Sequence, residues 1–159
     1  MNDIRLNIYL NDHLALMVGE IDLAGRCESS NRGTPLGDFL HRLRVEVEAQ
    51  KSIVSDLIRR VGGSESIVKK GAAWFAEKLG RFKLNDSVLT YSDLSRVIEL
   101  ETLSAAAQER VALWDTLNAV AGGDERLSRI TFSFFFDQSQ QQLEELCTRR
   151  RYAAIQAFS

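Results

Sequence analysis

A single proline, Pro35, interrupts a chain of 159 residues. β-Sandwiches and barrels of this length need many turn-forming prolines and glycines, because each of their short strands must end in a reversal. Long segments with few helix breakers, in which apolar residues recur at three- and four-residue spacing, are typical of amphipathic helices. The scarcity of proline therefore predicts an all-α protein.

Four such segments predict four long helices, over residues 5–28, 35–61, 93–121 and 127–157. The second starts with a strong helix signal, because Thr34 supplies a capping hydroxyl and Pro35 suits the first helical position. Ser92 caps the third helix, and Asp93 places an acid where the helix dipole favours one. Glycine pairs at 62–63 and 122–123 end the second and third helices.

The lengths of the connections predict how these helices are arranged. Short connections make helices one and two antiparallel, and likewise helices three and four. The connection between helices two and three has ~30 residues, which is enough to cross the whole bundle, and residues 64–84 within it predict a short extra helix. We predict a single domain over 1–159, an antiparallel four-helix bundle with the one-crossover connectivity of ferritin-like folds.

Composition excludes several classes of function. The formal net charge of −2 gives no general reason to expect a nucleic-acid partner. No stretch approaches ~18 consecutive apolar residues, so we predict no membrane span. The polar N-terminus lacks the apolar core of a signal peptide, and Cys27 and Cys147 form no CxxC motif, so a cytoplasmic protein with reduced thiols is expected. No phosphate-binding loop, HExxH or GxSxG motif occurs.

Four segments of the chain resemble a known family: YLNDHLA, NRGTPLGDFL, AWFAEKLGRFKLN and YSDLSRVIELETL. The chain is similar through nearly its whole length to a family of small, largely uncharacterised bacterial proteins assigned to the ferritin-like superfamily. The resemblance implies a ferritin-like four-helix bundle. It also raises the question of a dinuclear metal site.

Ferritin-like metal sites use one Glu from each of two helices and a Glu-x-x-His pair from each of the other two. Counting positions along the predicted helices places five acidic or amide residues within about two turns of one another. These candidate metal ligands are Glu20, Glu46, Glu101, Gln142 and Glu145. The carboxylate half of the pattern is therefore present.

The imidazole half of the pattern is missing. Three residues after Glu46 stands Ala49, and His13 lies ~10 Å along the helix from Glu20, too far to share a metal with it. We favour a bundle without a metal, in which the inner Glu and Gln hydrogen-bond one another, or Arg44 and Arg149. One alternative is a metal-binding or oxidoreductase-type protein that holds a divalent cation (Mn, Fe, Ca or Mg) through the oxygen atoms of these inward Glu and Gln side chains. The other is a site for a small organic ligand. No cofactor and no catalytic residue are expected.

The predicted crossover helix is basic and amphipathic. It carries Lys69, Lys70, Lys78, Arg81 and Lys83 opposite an apolar side of Trp74, Phe75, Leu79 and Phe82. Such a helix suits an anionic membrane surface or an acidic partner. A lid whose aromatic side packs on the bundle is the interpretation that we favour.

Four phenylalanines open the last helix and span more of its circumference than one core should cover: Phe132, Phe134, Phe135 and Phe136. Either the crossover helix or a second subunit covers the excess, and we predict a homodimer. The run Arg149–Arg151 is interpreted as a solvated stretch favoured by the helix dipole. The leading hypothesis is a non-enzymatic bundle that acts through protein contacts.

Overall fold

The computed structural model describes residues 1–66, Ala73, Phe75, Glu77 and residues 91–159. Four long helices account for most of them: α1 (Asp3–Ser30), α2 (Pro35–Arg60), α3 (Asp93–Val120) and α5 (Phe132–Phe158). A 3-10 turn (Ala121–Gly123) and the short helix α4 (Glu125–Ser128) connect α3 to α5. Within the described ranges the chain has no β-strand, so the all-α prediction is confirmed for them. None of their helices is long and apolar enough to cross a membrane.

Local capping signals set the helix ends. Asn2 caps α1, Thr34 caps α2 and Ser92 caps α3, each by accepting a hydrogen bond from a backbone N–H three residues ahead. These donors are unpaired in the first turn of any helix, so a side-chain acceptor stabilises that end. The start of α2 follows Gly33, whose φ of +78° favours glycine.

Replacing Thr34 with alanine is expected to lower the free energy of unfolding by ~1 kcal/mol. The Thr34 Oγ1 atom accepts from the Gly37 N–H at 3.1 Å and donates to the Asn31 carbonyl at 2.7 Å. Urea denaturation followed by circular dichroism measures the loss. Thr34→Ser is the matched control and should retain most of the stability. Equal midpoints for the alanine variant and the wild type would contradict the prediction.

The last predicted helix differs from the observed one at its start. A single helix from residue 127 was expected, but the chain forms α4 first and begins α5 at Phe132. The Arg126 guanidinium donates to Asp124, which caps α4, and to Asp3 at the start of α1. Leu127 is fully buried. These contacts hold α4 in its own orientation, so the chain must turn again before α5.

Contacts between helices define their relative directions. Glu20 contacts Arg110, and Asn31 near the end of α1 contacts Arg96 near the start of α3, so α1 and α3 run antiparallel. Gln142 contacts Glu46, and Gln50 contacts Gln138, so α2 and α5 also run antiparallel. The closest backbone packing joins α1 to α2 and α3 to α5, whereas α2 and α5 meet mainly through long side chains.

One apolar core runs between the four long helices. It includes Trp114 of α3, which packs against the rings of Phe132 and Phe135 at centroid distances of 6.1 and 4.9 Å. Phe136 is also partly buried on this core. Phe134 alone among the four phenylalanines is exposed, to 58%. The core therefore covers most of the aromatic patch that suggested a second subunit.

The described part of the crossover packs against α1. The Asn11 amide donates to the Ser64 carbonyl, and its oxygen accepts from the Ser66 N–H. Phe75 is buried against Gly19, where a Cβ atom would collide with its ring. This agrees with the predicted lid at that position. The other residues of the predicted basic helix lie outside the described residues: Lys69, Lys70, Trp74, Lys78, Leu79, Arg81, Phe82 and Lys83. The hypothesis of an anionic surface contact through them stays a prediction.

Candidate functional site

The centre of the bundle contains a buried arginine. Arg110 lies on the inward face of α3 and is only 1% exposed. Its guanidinium donates hydrogen bonds to side chains from three other helices: Glu20 on α1, Gln50 on α2, and Ser139 and Gln142 on α5. An unpaired charge at this depth would be strongly destabilising, so these partners stabilise the folded state.

Glu20 supplies the countercharge. Arg110 Nε lies 2.8 Å from Glu20 Oε2, and Arg110 Nη2 lies 3.0 Å from Oε1, so the pair is bidentate. Glu20 is itself 1% exposed. Burial raises the pKa of the Glu20 carboxyl, and the charge and hydrogen bonds of Arg110 oppose that rise. The geometry is that of a carboxylate fully engaged with a guanidinium.

Amide groups complete the shell around the ion pair. Gln50 Oε1 accepts from Arg110 Nη1 at 3.2 Å, from Trp114 Nε1 at 2.8 Å and from Ser139 Oγ at 3.2 Å. Arg110 Nη1 also donates to Gln142 Oε1 at 2.6 Å. These bonds fix which way each amide points, because the oxygen must face the guanidinium. A fully paired polar network of this kind specifies one packing of the helices.

The network extends to the surface between α2 and α5. Gln142 Nε2 donates to Glu46, which is half-buried, and Gln50 Nε2 donates to Gln138 at 2.8 Å. A cavity of about 370 Å³ opens beside these residues, lined among others by Glu46, Gln142 and Phe134. The ion pair is thus connected to solvent through side-chain amides on one side of the bundle.

The structure brings together three of the five predicted site residues. Glu20 and Gln142 contact Arg110 directly, and Glu46 is joined through Gln142. The side chains of Glu101 and Glu145 are each 51% exposed. Glu101 pairs with Arg150 at 3.6 Å, and Glu145 pairs with Arg149 at 3.4 Å. Their predicted place inside the bundle was wrong.

Both misplaced residues are explained by the rotational phase of their helices. Apolar residues mark two overlapping faces of α3, one with Leu94, Ile98 and Ala105 and a second with Val97, Leu100, Leu103, Ala107, Val111 and Trp114. The prediction of Glu101 as an inner residue requires the first face to point inward. The structure buries the other face, with Leu100, Leu103, Ala107 and Trp114. Glu145 likewise lies beside the buried stripe of α5, which runs through Ser139, Gln142 and Leu146.

Sequence reasoning missed Arg110, Gln50 and Ser139. Arg110 interrupts the second apolar face of α3, between Ala107 and Trp114, and Gln50 lies between Val47 and Val54 on the buried stripe of α2. A polar residue at an apolar periodic position is the signal that would have indicated them. Of the two predicted counterions, Arg44 pairs with Glu28 at 2.7 Å, outside the predicted set. Arg149 pairs with Glu145 at the surface, and its guanidinium lies 4.5 Å from the centre of the Phe39 ring.

The residues present do not fit a dinuclear carboxylate centre. Both Glu20 oxygens accept from Arg110, and Gln142 Oε1 does so as well. The lone pairs that would ligate a metal ion therefore already face the guanidinium. Its positive charge repels any cation that approaches them. Across the described ranges, no group of three or more His, Cys, Asp or Glu side chains is placed to hold a metal ion.

The two histidines lie apart from this arrangement. The ring of His13 packs edge-on against Tyr9 with the centroids 4.6 Å apart, and burial lowers its pKa. His41 is exposed and its Nδ1 lies 2.8 Å from Glu28 Oε1. Neither position completes a Glu-x-x-His pair.

A second polar cluster joins the end of α1 to the start of α3. Asn31 donates to the Tyr91 hydroxyl at 2.9 Å and accepts from Arg96 Nε at 3.1 Å. Burial raises the pKa of the neighbouring Glu99 carboxyl and that of the Cys27 thiol, which interact with each other. A thiol with a raised pKa is a poor nucleophile at neutral pH. This cluster therefore stabilises the contact between the end of α1 and the start of α3.

Comparisons with known proteins identify no relative: no protein-family model, no curated protein and no solved structure matches the chain.

Proposed function

We propose that the chain is a ferritin-like four-helix bundle in which an arginine takes the place of the metal centre. In this proposal it has no catalytic activity and acts through contacts with protein, first of all with a second copy of itself. The observation that carries the proposal is the Arg110 guanidinium bound by side chains of all three other long helices.

The helix directions support the ferritin-like part. If α1 runs upward, the short turn at residues 31–34 and the contact of Glu28 with Arg44 make α2 run downward. The contacts of α1 with α3 and of α2 with α5 then make α3 run downward and α5 upward. The end of α2 and the start of α3 then lie at opposite ends of the bundle. That is the connectivity of bundles with one long crossover connection.

The chemistry of the centre supports the absence of metal catalysis. In a ferritin-like site, negative carboxylates are compensated by cations that bring open coordination positions for a substrate. Here the negative charge of Glu20 is compensated by the permanent positive charge of Arg110. Unlike a metal ion, the guanidinium offers a substrate no open coordination position. The same helical framework then provides a fixed shape and no reactive centre.

Exposed apolar side chains support a role in protein contact. Besides Phe134, the outer surface of α5 exposes Tyr152, Ile155 and Phe158, each by more than half. Side chains of this type are enriched at protein interfaces because they bury a large apolar area at low entropic cost. Phe134 is favoured as the centre of a homodimer contact. Its ring packs edge-to-face against Phe135 and is therefore held in place.

Metal analysis tests the first part of the proposal. Protein purified without chelators should contain Mn, Fe, Ca and Mg far below one equivalent per chain, and adding each metal should not raise the melting temperature. Glu46→Gln is the control variant, because it removes a candidate ligand without touching the ion pair. One equivalent of a metal in the wild type that is lost in this variant would contradict the proposal and support the metal-binding alternative.

Light scattering after size exclusion tests the second part. The wild type is expected to be a dimer at micromolar concentration, and Phe134→Ser should shift it to monomer without changing its helix content. Ile4→Ser is the matched control, because this apolar side chain is more exposed than Phe134 but lies on α1 and not on α5. A wild type that is monomeric at every concentration would remove the homodimer and leave the arginine-centred bundle unaffected.

A further inference from the structure

A large cavity in the described part of the chain lies away from Arg110. It has a volume of about 1000 Å³ and opens where the α1–α2 turn, the start of α2, the start of α3 and the second half of α5 meet. Ligand pockets in proteins typically measure roughly 300–1,000 Å³. The cavity exists because α2 and α5 are joined by side chains and not by close backbone packing.

The cavity has an apolar part and a charged part. Pro35, Leu36 and Ala153 provide apolar surface. Arg96 enters from α3 and Arg149 from α5, so the two guanidinium groups come from different helices. An arginine fork binds carboxylate, sulfonate or phosphate oxygens in pairs.

Both arginines are held in position by other residues. Arg96 uses Nε for Asn31 and Nη1 for Asp93, and its guanidinium lies 5.4 Å from the centre of the Tyr91 ring. Among the described residues, these bonds leave its Nη2 without an acceptor. Arg149 lies over the Phe39 ring and makes one weak hydrogen bond, of 3.4 Å, to Glu145. Pre-positioned donors lose little conformational entropy when a ligand binds.

The exposure of the charged side chains that line the cavity indicates which ligand charge it favours. Glu144 and Glu145 also line it, but the Glu145 side chain is 51% exposed, whereas those of Arg96 and Arg149 are 25% and 29% exposed. Water screens the more exposed acids more strongly than the arginines. The less screened charges are therefore positive.

We propose that this cavity binds a small organic anion, with its oxyanion head held by Arg96 and Arg149 and its apolar body against Pro35, Leu36 and Ala153. The site is separate from the Arg110 network and does not depend on dimer formation through Phe134. It would make the bundle a receptor for a small molecule as well as a partner for protein.

Fluorescence titration with anilinonaphthalene sulfonate, an aromatic anion, tests this inference on the full chain. Saturable binding of one molecule per chain is expected, with at least tenfold weaker binding of the uncharged analogue N-phenylnaphthylamine. Arg96→Gln and Arg149→Gln should each weaken binding of the anion by about tenfold, as expected for the loss of a charge-assisted hydrogen bond. Arg151→Gln, an exposed arginine outside the cavity on the same helix, is the matched control and should leave binding unchanged.

A blocking variant separates this cavity from the other apolar surfaces of the protein. Thr148 is exposed and lines the cavity, so Thr148→Trp should fill the space and abolish binding while the helix content stays that of the wild type. Binding that persists in the Thr148→Trp variant would overturn the proposal. So would a loss of affinity in Arg151→Gln as large as in Arg149→Gln, or the absence of saturable binding to the wild type.

Discussion

Replacing Arg110 with methionine is expected to lower the free energy of unfolding by about 3–5 kcal/mol near neutral pH. Methionine keeps much of the side-chain volume but removes the charge, so Glu20 is left buried without its two hydrogen bonds. Gln50, Ser139 and Gln142 also lose a shared donor. Because small domains are stable by only about 5–15 kcal/mol, the loss is a large share of the total. Urea denaturation followed by circular dichroism measures it.

The deficit of the Arg110→Met variant should depend on pH. Arg110 opposes the rise in the Glu20 pKa that burial causes. Without the guanidinium, the pKa of folded Glu20 therefore rises further above its ordinary value of 4.5. A carboxyl with a raised folded pKa contributes stability at low pH and loses it as the pH rises through that folded value. The variant should therefore lose stability relative to the wild type as the pH rises above the ordinary carboxyl pKa of 4.5.

A double variant distinguishes loss of the ion pair from loss of packing. Glu20→Met combined with Arg110→Met removes both charges together, and exchange of a buried ion pair for apolar residues is often neutral or stabilising. The double variant should be more stable than Arg110→Met alone, and its pH dependence should disappear. A double variant as unstable as the sum of the two single variants would show that Glu20 and Arg110 do not act as a pair.

Trp114→Ala is expected to cost about 3–5 kcal/mol, because Trp114 is fully buried at the centre of the core. Its removal leaves a cavity beside Phe132 and Phe135, whose rings pack against the indole. Those two phenylalanines begin α5, so the loss should also loosen the packing of α3 on α5. The free energy of unfolding and the near-ultraviolet circular dichroism of the aromatic side chains report both effects.

Trp114→Phe separates the packing of the indole from its hydrogen bond. Phenylalanine keeps an aromatic ring but loses the Nε1–H that donates to Gln50 at 2.8 Å. Gln50 Oε1 still accepts from Arg110 and Ser139, so its oxygen is not left unpaired. A smaller loss of about 1–2 kcal/mol is expected. If Trp114→Phe were as unstable as Trp114→Ala, the polar network and not the core would be the main role of this residue.

Helix positions could be predicted closely from the sequence, because the interactions that start and end a helix are local. Pro35 and the hydroxyls of Thr34 and Ser92 act within one turn, and the observed bounds of α2 and α3 follow them. The extra turn before α5 was not predicted, because it depends on a contact between Arg126 and Asp3, which lie 123 positions apart.

The interior of the bundle was predicted only in part. Glu20 and Gln142 were identified because they lie on or beside the apolar stripes of their own helices. Arg110 was not, because an arginine in a helix is usually at the surface and its long aliphatic stem suits either place. The choice between the two apolar faces of α3 also required knowledge of which helices pack against it.

The sequence by itself therefore determined the all-helical character of the described ranges, the caps of α2 and α3, and the absence of the imidazoles that a ferritin-like metal site would need. Only the tertiary structure decided which charged side chains meet. A buried arginine is stable solely where acceptors from several helices converge on it, and that convergence depends on the rotation and register of helices that are far apart in the sequence.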